Sequence, residues 1–251
     1  PKTGVFSHLK HEQQNPQSLS DDRVTAILED HEGTIWVGTE NGLNKLNQKT
    51  KTFTQYHYDP NDSASLASNY IQVLYEDRQH NLWVGTRSED GNSKAKGGLN
   101  RLDRRTEKFT RYQHNPKDPN SLLDNNIGAI FEDSKGGFWI STAGDGLYLM
   151  DRQNGIFERL RYDQPNPSEL IDLPGQKRVN TDLNLFFICD DGTGALWMRG
   201  SGQWITRYDP ETKKVTHYNA INGDAQATQA VSGGFMSREG VLWITTWSGN
   251  I

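Results

Sequence analysis

Glu29, Asp30, His31 and Glu32 stand in an unbroken row, a run of oxygen and imidazole donors that could form an acidic ligand loop. The row opens "EDHEGTIWVGT" (29–39), and the same frame returns as "EDRQHNLWVGT" (76–86), "EDSKGGFWIST" (132–142), "DDGTGALWMRG" (190–200) and "MSREGVLWITT" (236–246). The row is therefore one copy of a repeat, and its charges read as a solvated turn. The histidines do not rescue a metal or catalytic reading. His8, His57, His114 and His217 fall on or just after the outermost strand of each unit, and His31 and His80 sit in the turns ahead of the tryptophans. Histidines of separate units at a rim cannot share an ion whose ligands lie about 2 Å away. No metal, cofactor or catalytic residue is expected.

Binding groups are easier to find. The residues immediately ahead of each unit's first strand include Arg23, Tyr70, Asn126 and Asn184, preceded by Asp22, Asn69 and Asn125. Arg87 opens the long loop "RSEDGNSKAKGG", and Trp247 follows the last strand. These polar and aromatic groups suit a hydroxyl-rich ligand, with Trp247 able to stack on a sugar ring or to pack between units. The alternative for Asn and Asp at such positions is turn capping through their side chains. Trp204 stands where other units have the leucine of "GL", a packing position.

The elements that carry these residues follow from the frame. Trp36, Trp83, Trp139, Trp197 and Trp243 are separated by 47, 56, 58 and 46 residues, the spacing of solenoids and propellers. Ahead of each tryptophan, "VTAIL", "IQVLY", "IGAIF", "LFFIC" and "VSGGF" read as a strand covered on both faces. A polar turn follows, with Gly33, Gly136, Gly194 and Gly240 three residues before the tryptophan; only His80 breaks that pattern. The tryptophan strand is next, then "LNKL", "LNRL" or "LYLM", then "FTQYHY", "FTRYQH" or "FERLRY". Each unit is thus a four-stranded antiparallel meander.

Phe6 to Trp36, Phe53 to Trp83 and Phe109 to Trp139 are each 30 residues apart, which places a fourth strand at 5–12 as well. Phe157 to Trp197 is 40, so about ten residues around "IDLPGQKRVN" are inserted in one connection. Meanders of this size bury two apolar faces by packing around an axis, as in a β-propeller; a solenoid of hairpins is the weaker alternative. The five tryptophans are then the structural blade core, wedged between neighbours.

Bulk properties set the bounds. With 251 residues, 33% of them hydrophobic and 24% charged, the chain has a soluble globular profile. A net charge of -5 without a basic block argues against nucleic acid and against an anionic membrane surface. No run nears the roughly 18 apolar residues of a membrane span, and "PKTGVFSHLK" lacks the apolar core of a secretory signal. Cys189 stands alone within "FFICDD", a buried strand thiol.

The stretch from "SLSDDRVTAILEDHEGTIWVGTENGLNKL" onward, with "NPQSLSDD", "DPNDSASLASN" and "NPKDPNSLLDNN" ahead of the units, resembles the two-component regulator propeller repeat. The match runs strongly from Phe6 to about Tyr162 and weakens beyond, where "LWMRGSGQWITRYD" replaces "LWVGTENGLNKLN". The resemblance implies the periplasmic, extracytoplasmic sensor region of a membrane-bound hybrid histidine kinase or a related diguanylate cyclase. The kinase or cyclase would lie elsewhere in the full-length protein, and the sensors would pair as a homodimer.

The expectation is an all-β chain forming one propeller region over 1–251. A strand at 5–12 precedes blades near 24–58, 71–114, 127–162 and 185–218 and a partial blade at 231–251, about five blades of a seven-bladed propeller. A five-bladed ring is the alternative. Its expected ligand is an oligosaccharide bound near Arg23, Asn69, Tyr70, Arg87, Asn125, Asn126, Asn184 and Trp247. A protein-binding scaffold and a propeller lyase or hydrolase are the competing readings.

Overall fold

The computed structural model describes residues 6, 8–88, 96–143, 146–160, 188–199, 204–219, 231–237 and 239–246. Among them there are eighteen strands and no helix. Short runs rich in β-branched and aromatic residues, bounded by Asp, Asn and Gly turns, leave little choice but strands. The first sheet is β1 (Val24–Glu29), β2 (Ile35–Thr39), β3 (Gly42–Asn47) and β4 (Thr52–Tyr56). The second is β5 (Tyr70–Glu76), β6 (Leu82–Arg87), β7 (Gly98–Asp103) and β8 (Lys108–Tyr112). The third is β9 (Ile127–Glu132), β10 (Phe138–Thr142), β11 (Gly146–Asp151) and β12 (Ile156–Arg159).

β13 (Ile188–Asp190), β14 (Leu196–Arg199), β15 (Trp204–Asp209) and β16 (Lys214–Asn219) make the fourth sheet, and β17 (Val231–Met236) pairs with β18 (Leu242–Thr246). Every sheet runs in chain order, four of them four-stranded and the last two-stranded. The chain divides into two compact units, Pro1–Ile130 and Phe131–Ile251, with the boundary inside β9.

Of the expected strand at 5–12, the described residues 6 and 8–12 are irregular, and Phe6 is 82% exposed, whereas Phe53, Phe109 and Phe157 are buried. A strand exists only through its ladder, and no described strand pairs with this segment. Side-chain bonds hold it instead, with the His11 N–H donating to Asp22 Oδ1 at 2.8 Å and the Glu12 N–H to Ser18 Oγ at 2.9 Å.

Within the first unit the core lies between sheets one and two. Trp36 packs with Leu66, Ile71, Leu74, Leu82 and Phe109 of the following sheet and its loop, and Tyr56 meets Phe109 edge-on at 5.8 Å. Close approach needs glycine after the tryptophan: a Cβ on Gly38 would lie 2.5 Å from Ile71 Cγ2, and one on Gly85 would lie 2.7 Å from Ile127 Cγ2. In the second unit Trp139 meets Tyr208 edge-on at 6.3 Å, and Trp197, Met236 and Leu242 pack against Cys189. Trp36 and Trp139 therefore each cover the sheet that follows. Burying 150–250 Å² of aromatic surface at about 25 cal/mol per Å² stabilises the fold by roughly 4–6 kcal/mol per tryptophan.

The turn ahead of each tryptophan is organised by one carboxylate. Asp30 Oδ1 accepts the N–H groups of Glu32 and Thr34 while Oδ2 accepts Trp36 Nε1–H at 2.8 Å. Asp77 does the same for Gln79, Asn81 and Trp83 at 2.8 Å, and Asp133 for Lys135, Gly137 and Trp139 at 2.6 Å. Asp191 holds Thr193 and Trp197 at 3.1 Å. Solvated turn charge therefore describes Glu29 and Glu32 but not Asp30, which is buried. The indole hides one carboxylate oxygen and the turn amides hide the other.

The fifth copy departs from this pattern. Ser237 replaces the carboxylate, and its hydroxyl accepts the Val241 N–H at 3.1 Å. Trp243, expected in the core, is 46% exposed, because among the described residues no further sheet lies against it. Replacing Trp83 with Ala should cost about 3–5 kcal/mol, the range for a large buried aromatic, whereas Trp243→Ala should cost less than half of that. Denaturant melts of the two variants check the contrast.

Burial pushes the Asp191 carboxyl up, but hydrogen bonds from Thr193, Trp197 and Arg207 outweigh it and hold the group at about 2. Asp30 is likewise held low, burial being outweighed by Trp36, Arg104 and Thr34. A folded-state value below the unfolded one adds stability that is present above about pH 4 and lost as pH falls toward 2. Acid unfolding followed by tryptophan fluorescence should show that loss in the natural chain and a flatter pH profile in Asp191→Ala.

Candidate functional site

Three loops leading into strands β1, β5 and β9 share one wiring. The N–H groups of His11, Tyr58 and His114 donate to the Oδ1 atoms of Asp22, Asn69 and Asn125, each eleven residues on. Those of Glu12, Asp59 and Asn115 donate to the hydroxyls of Ser18, Ser65 and Ser121, each six residues on. Two loops are pinned to the sheet that follows by a buried asparagine on its third strand. Asn44 Oδ1 accepts the Ser20 N–H and Asn100 Oδ1 the Ala67 N–H, while their Nδ2 groups donate to the carbonyls of Val37 and Val84. The sequence frame had not singled out Asn44 or Asn100, although both stand at the same place in "LNKL" and "LNRL".

This wiring decides among the sequence candidates. Asn69 and Asn125 close their loops, and Asn125 is 1% exposed, so neither presents its oxygen to a ligand. Asn126 accepts the Ser88 N–H at 2.7 Å and ties down the start of the β6–β7 loop. Asn184, Trp247 and the insertion at 171–180 lie outside the described residues.

Arg23, Tyr70 and Arg87 do converge, with Glu40 as a fourth member that the sequence did not flag. Arg23 precedes β1, Glu40 sits in the β2–β3 turn, Tyr70 begins β5 and Arg87 ends β6, so all four lie at one end of two neighbouring sheets. Arg23 Nη1 stands 2.6 Å from Glu40 Oε2, Tyr70 donates its hydroxyl to Glu40 Oε1 at 3.2 Å, and the Arg87 guanidinium lies over the Tyr70 ring at 3.9 Å. Burial, together with the Glu40 carboxylate, holds the Tyr70 phenol above its ordinary range, so it stays a donor. The Arg23 side chain is two-thirds exposed, and an ion pair at that exposure contributes little to stability. The cluster offers two planar cationic donors, a carboxylate and a phenol that are not committed to the fold.

At the other end of the same two sheets, His31 and His80, which the sequence placed in the turns ahead of the tryptophans, meet. Their rings stack at 3.8 Å, and His31 Nδ1 lies 2.6 Å from Glu76 Oε1. The reason is an inter-sheet bond: the His31 N–H donates to Glu76 Oε2 at 2.8 Å and draws the two turns together. The signal was present in the sequence as the single histidine in a glycine position.

The two-component regulator propeller family matches residues 18–41, 65–88 and 121–144. The chain is similar to the extracellular domain assigned to a hybrid two-component system of B. thetaiotaomicron, with a TM-score of 0.69 and 25% identity over 92% of this chain and 28% of that one. A second such domain from the same organism gives a TM-score of 0.66 at 20% identity over 98% and 37%. Virginiamycin B lyase from Staphylococcus aureus shares the fold at a TM-score of 0.60 and 16% identity, over 91% and 68%. No curated protein matches the chain. The sheets are β-propeller blades, and the chain spans about a third of the length of the sensor domains it resembles.

Asn100→Ala removes a buried amide with three bonds and should cost about 2–3 kcal/mol by stranding the Ala67 N–H and the Val84 carbonyl. Arg87→Ala, which removes a stack on Tyr70, should stay within about 1 kcal/mol. Equal losses in chemical denaturation would mean that Arg87 belongs to the scaffold.

Proposed function

From a chain that carries two-component regulator propeller repeats, we propose the ligand-sensing region of an extracytoplasmic, membrane-bound signalling protein, with an oligosaccharide as its ligand. The observation that carries the reading is the cluster of Arg23, Glu40, Tyr70 and Arg87 at one end of two adjacent blades. Guanidinium and carboxylate groups bond neighbouring hydroxyls in pairs, and the mixed signs favour a neutral, hydroxyl-rich molecule over an anion.

Catalysis is not part of this reading. The cluster holds no nucleophile beside a base, and the likeness to a lyase is one of fold. Among the described residues no helix is long and apolar enough to cross a membrane. In this reading the output runs through a kinase or cyclase elsewhere in the full-length protein. Signal transfer would work by bias: a ligand that favours one arrangement of two paired sensors shifts that equilibrium by its difference in affinity. The remaining blades of a seven-bladed ring would complete the site.

A glycan array probed with the full sensor identifies the sugar, and titration of the Tyr70→Ala and Arg87→Ala variants then tests the residues. Both should weaken binding tenfold or more with folding intact. Unchanged affinity in both would put the ligand elsewhere.

A further inference from the structure

The geometry points to a divalent transition-metal site, of the kind that takes Zn²⁺, formed by His31, Glu76 and His80 between the turns of the first two blades. One ligand atom from each residue lies within 4.8 Å of the others. Two imidazoles and one carboxylate suit zinc, copper or nickel, whereas calcium and magnesium require oxygen donors throughout.

Three features carry the argument. The first is the identity of residue 80. Its backbone is left-handed, with φ of 64°, at the position where Gly33, Gly136, Gly194 and Gly240 have φ between 77° and 88°. A non-glycine residue is uncommon in that region, although histidine enters it more readily than most and Lys51, Glu107 and Lys213 adopt it as well. The other copies carry glycine at this place, so the imidazole is a departure of the second blade that the turn itself does not require.

The second feature is orientation. The Glu76 side chain is only 12% exposed and is fixed from two sides, by the His31 N–H on Oε2 and by Arg104 Nη2 on Oε1 at 2.7 Å. Oε2 retains acceptor capacity beside the His31 N–H, and Oε1 already faces His31 Nδ1 at 2.6 Å, the contact that an ion would replace. Arg104 also donates to the His80 carbonyl at 3.2 Å and to Asp30 Oδ2 at 2.7 Å, which places that turn against Glu76. Outer partners of this sort orient metal ligands. The guanidinium beside Glu76 opposes a second cation, while the Asp30 carboxylate on its other side offsets that charge.

The third feature is freedom where it is needed. His31 and His80 are exposed, and zinc ligands in a tetrahedron stand about 3.4 Å apart when each bond is about 2.1 Å. Bringing the three donors to that spacing takes a rotation of His80, whose ring stacks on His31. Glu32 Oε1, 4.0 Å from His31 Nε2 and on an exposed side chain, is placed to supply a fourth donor. A metal here would clamp two blades together at the end opposite the Arg23–Glu40–Tyr70–Arg87 cluster.

Calorimetric titration of the chelator-treated chain with Zn²⁺ should give one saturable site per chain, unaffected by millimolar Mg²⁺, and the melting temperature should rise with Zn²⁺ and fall back with EDTA. His80→Gly restores the residue found in the other repeats. In EDTA it should therefore melt at or above the natural chain, yet bind zinc at least tenfold more weakly. His31→Gln should also lose at least tenfold, with its circular dichroism unchanged. A non-saturating isotherm for the natural chain, or natural affinity in either variant, overturns the site.

Discussion

A buried carboxylate bonded to an indole is the interaction on which the rest of the molecule depends. Asp30, Asp77, Asp133 and Asp191 each stand six residues ahead of a tryptophan and accept its Nε1–H together with amides of the intervening turn. An indole N–H without a partner would penalise burial of the ring, and a carboxylate without donors could not leave water. Each group makes the other's burial tolerable. The ring can then extend over the next blade, and the turn acquires a single shape that a neighbour can recognise.

Inter-blade order follows from that shape. With the turn fixed, the residue after the aspartate aims its N–H at an acid of the following blade: His31 at Glu76 Oε2, and Ser134 at Asp190 Oδ2 at 2.5 Å. Blade contacts are therefore polar at the turn, aromatic in the middle and, at Gly38 and Gly85, backbone-close at the far end. The far end holds the loops wired by Asn69, Asn125, Asn44 and Asn100, whose bonds satisfy backbone groups that a loop over a sheet edge would otherwise leave buried and unpaired.

Chemistry separates along the same axis. At the loop end, residues not consumed by this wiring form an exposed mixed-charge cluster on two blades. At the turn end, one departure from the repeat, histidine for glycine at position 80, coincides with the place where, among the described residues, two imidazoles touch. Repeats make such departures readable, because the other copies record what the fold alone requires.

The sequence by itself carried the all-β class, the meander order of the four-stranded sheets and the repeated place of the tryptophan on each second strand, because β-sheet pairing within a meander is local and most copies repeat the same alternation and turn chemistry. It also placed Arg23, Tyr70 and Arg87 at one end. Only the tertiary structure decided which polar residues were free. Asn69 and Asn125 read as ligand groups, but a bond eleven residues back along the chain absorbs them, and Asp30 read as solvated until the indole of Trp36 covered it. The exposure of Phe6 and Trp243 depends on whether a neighbouring sheet lies against them, which a one-dimensional frame does not record. The meeting of His31 with His80 is a matter of distance between two blades, fixed by packing around Trp36 and by the His31–Glu76 bond, and spacing along the chain carries no information about it.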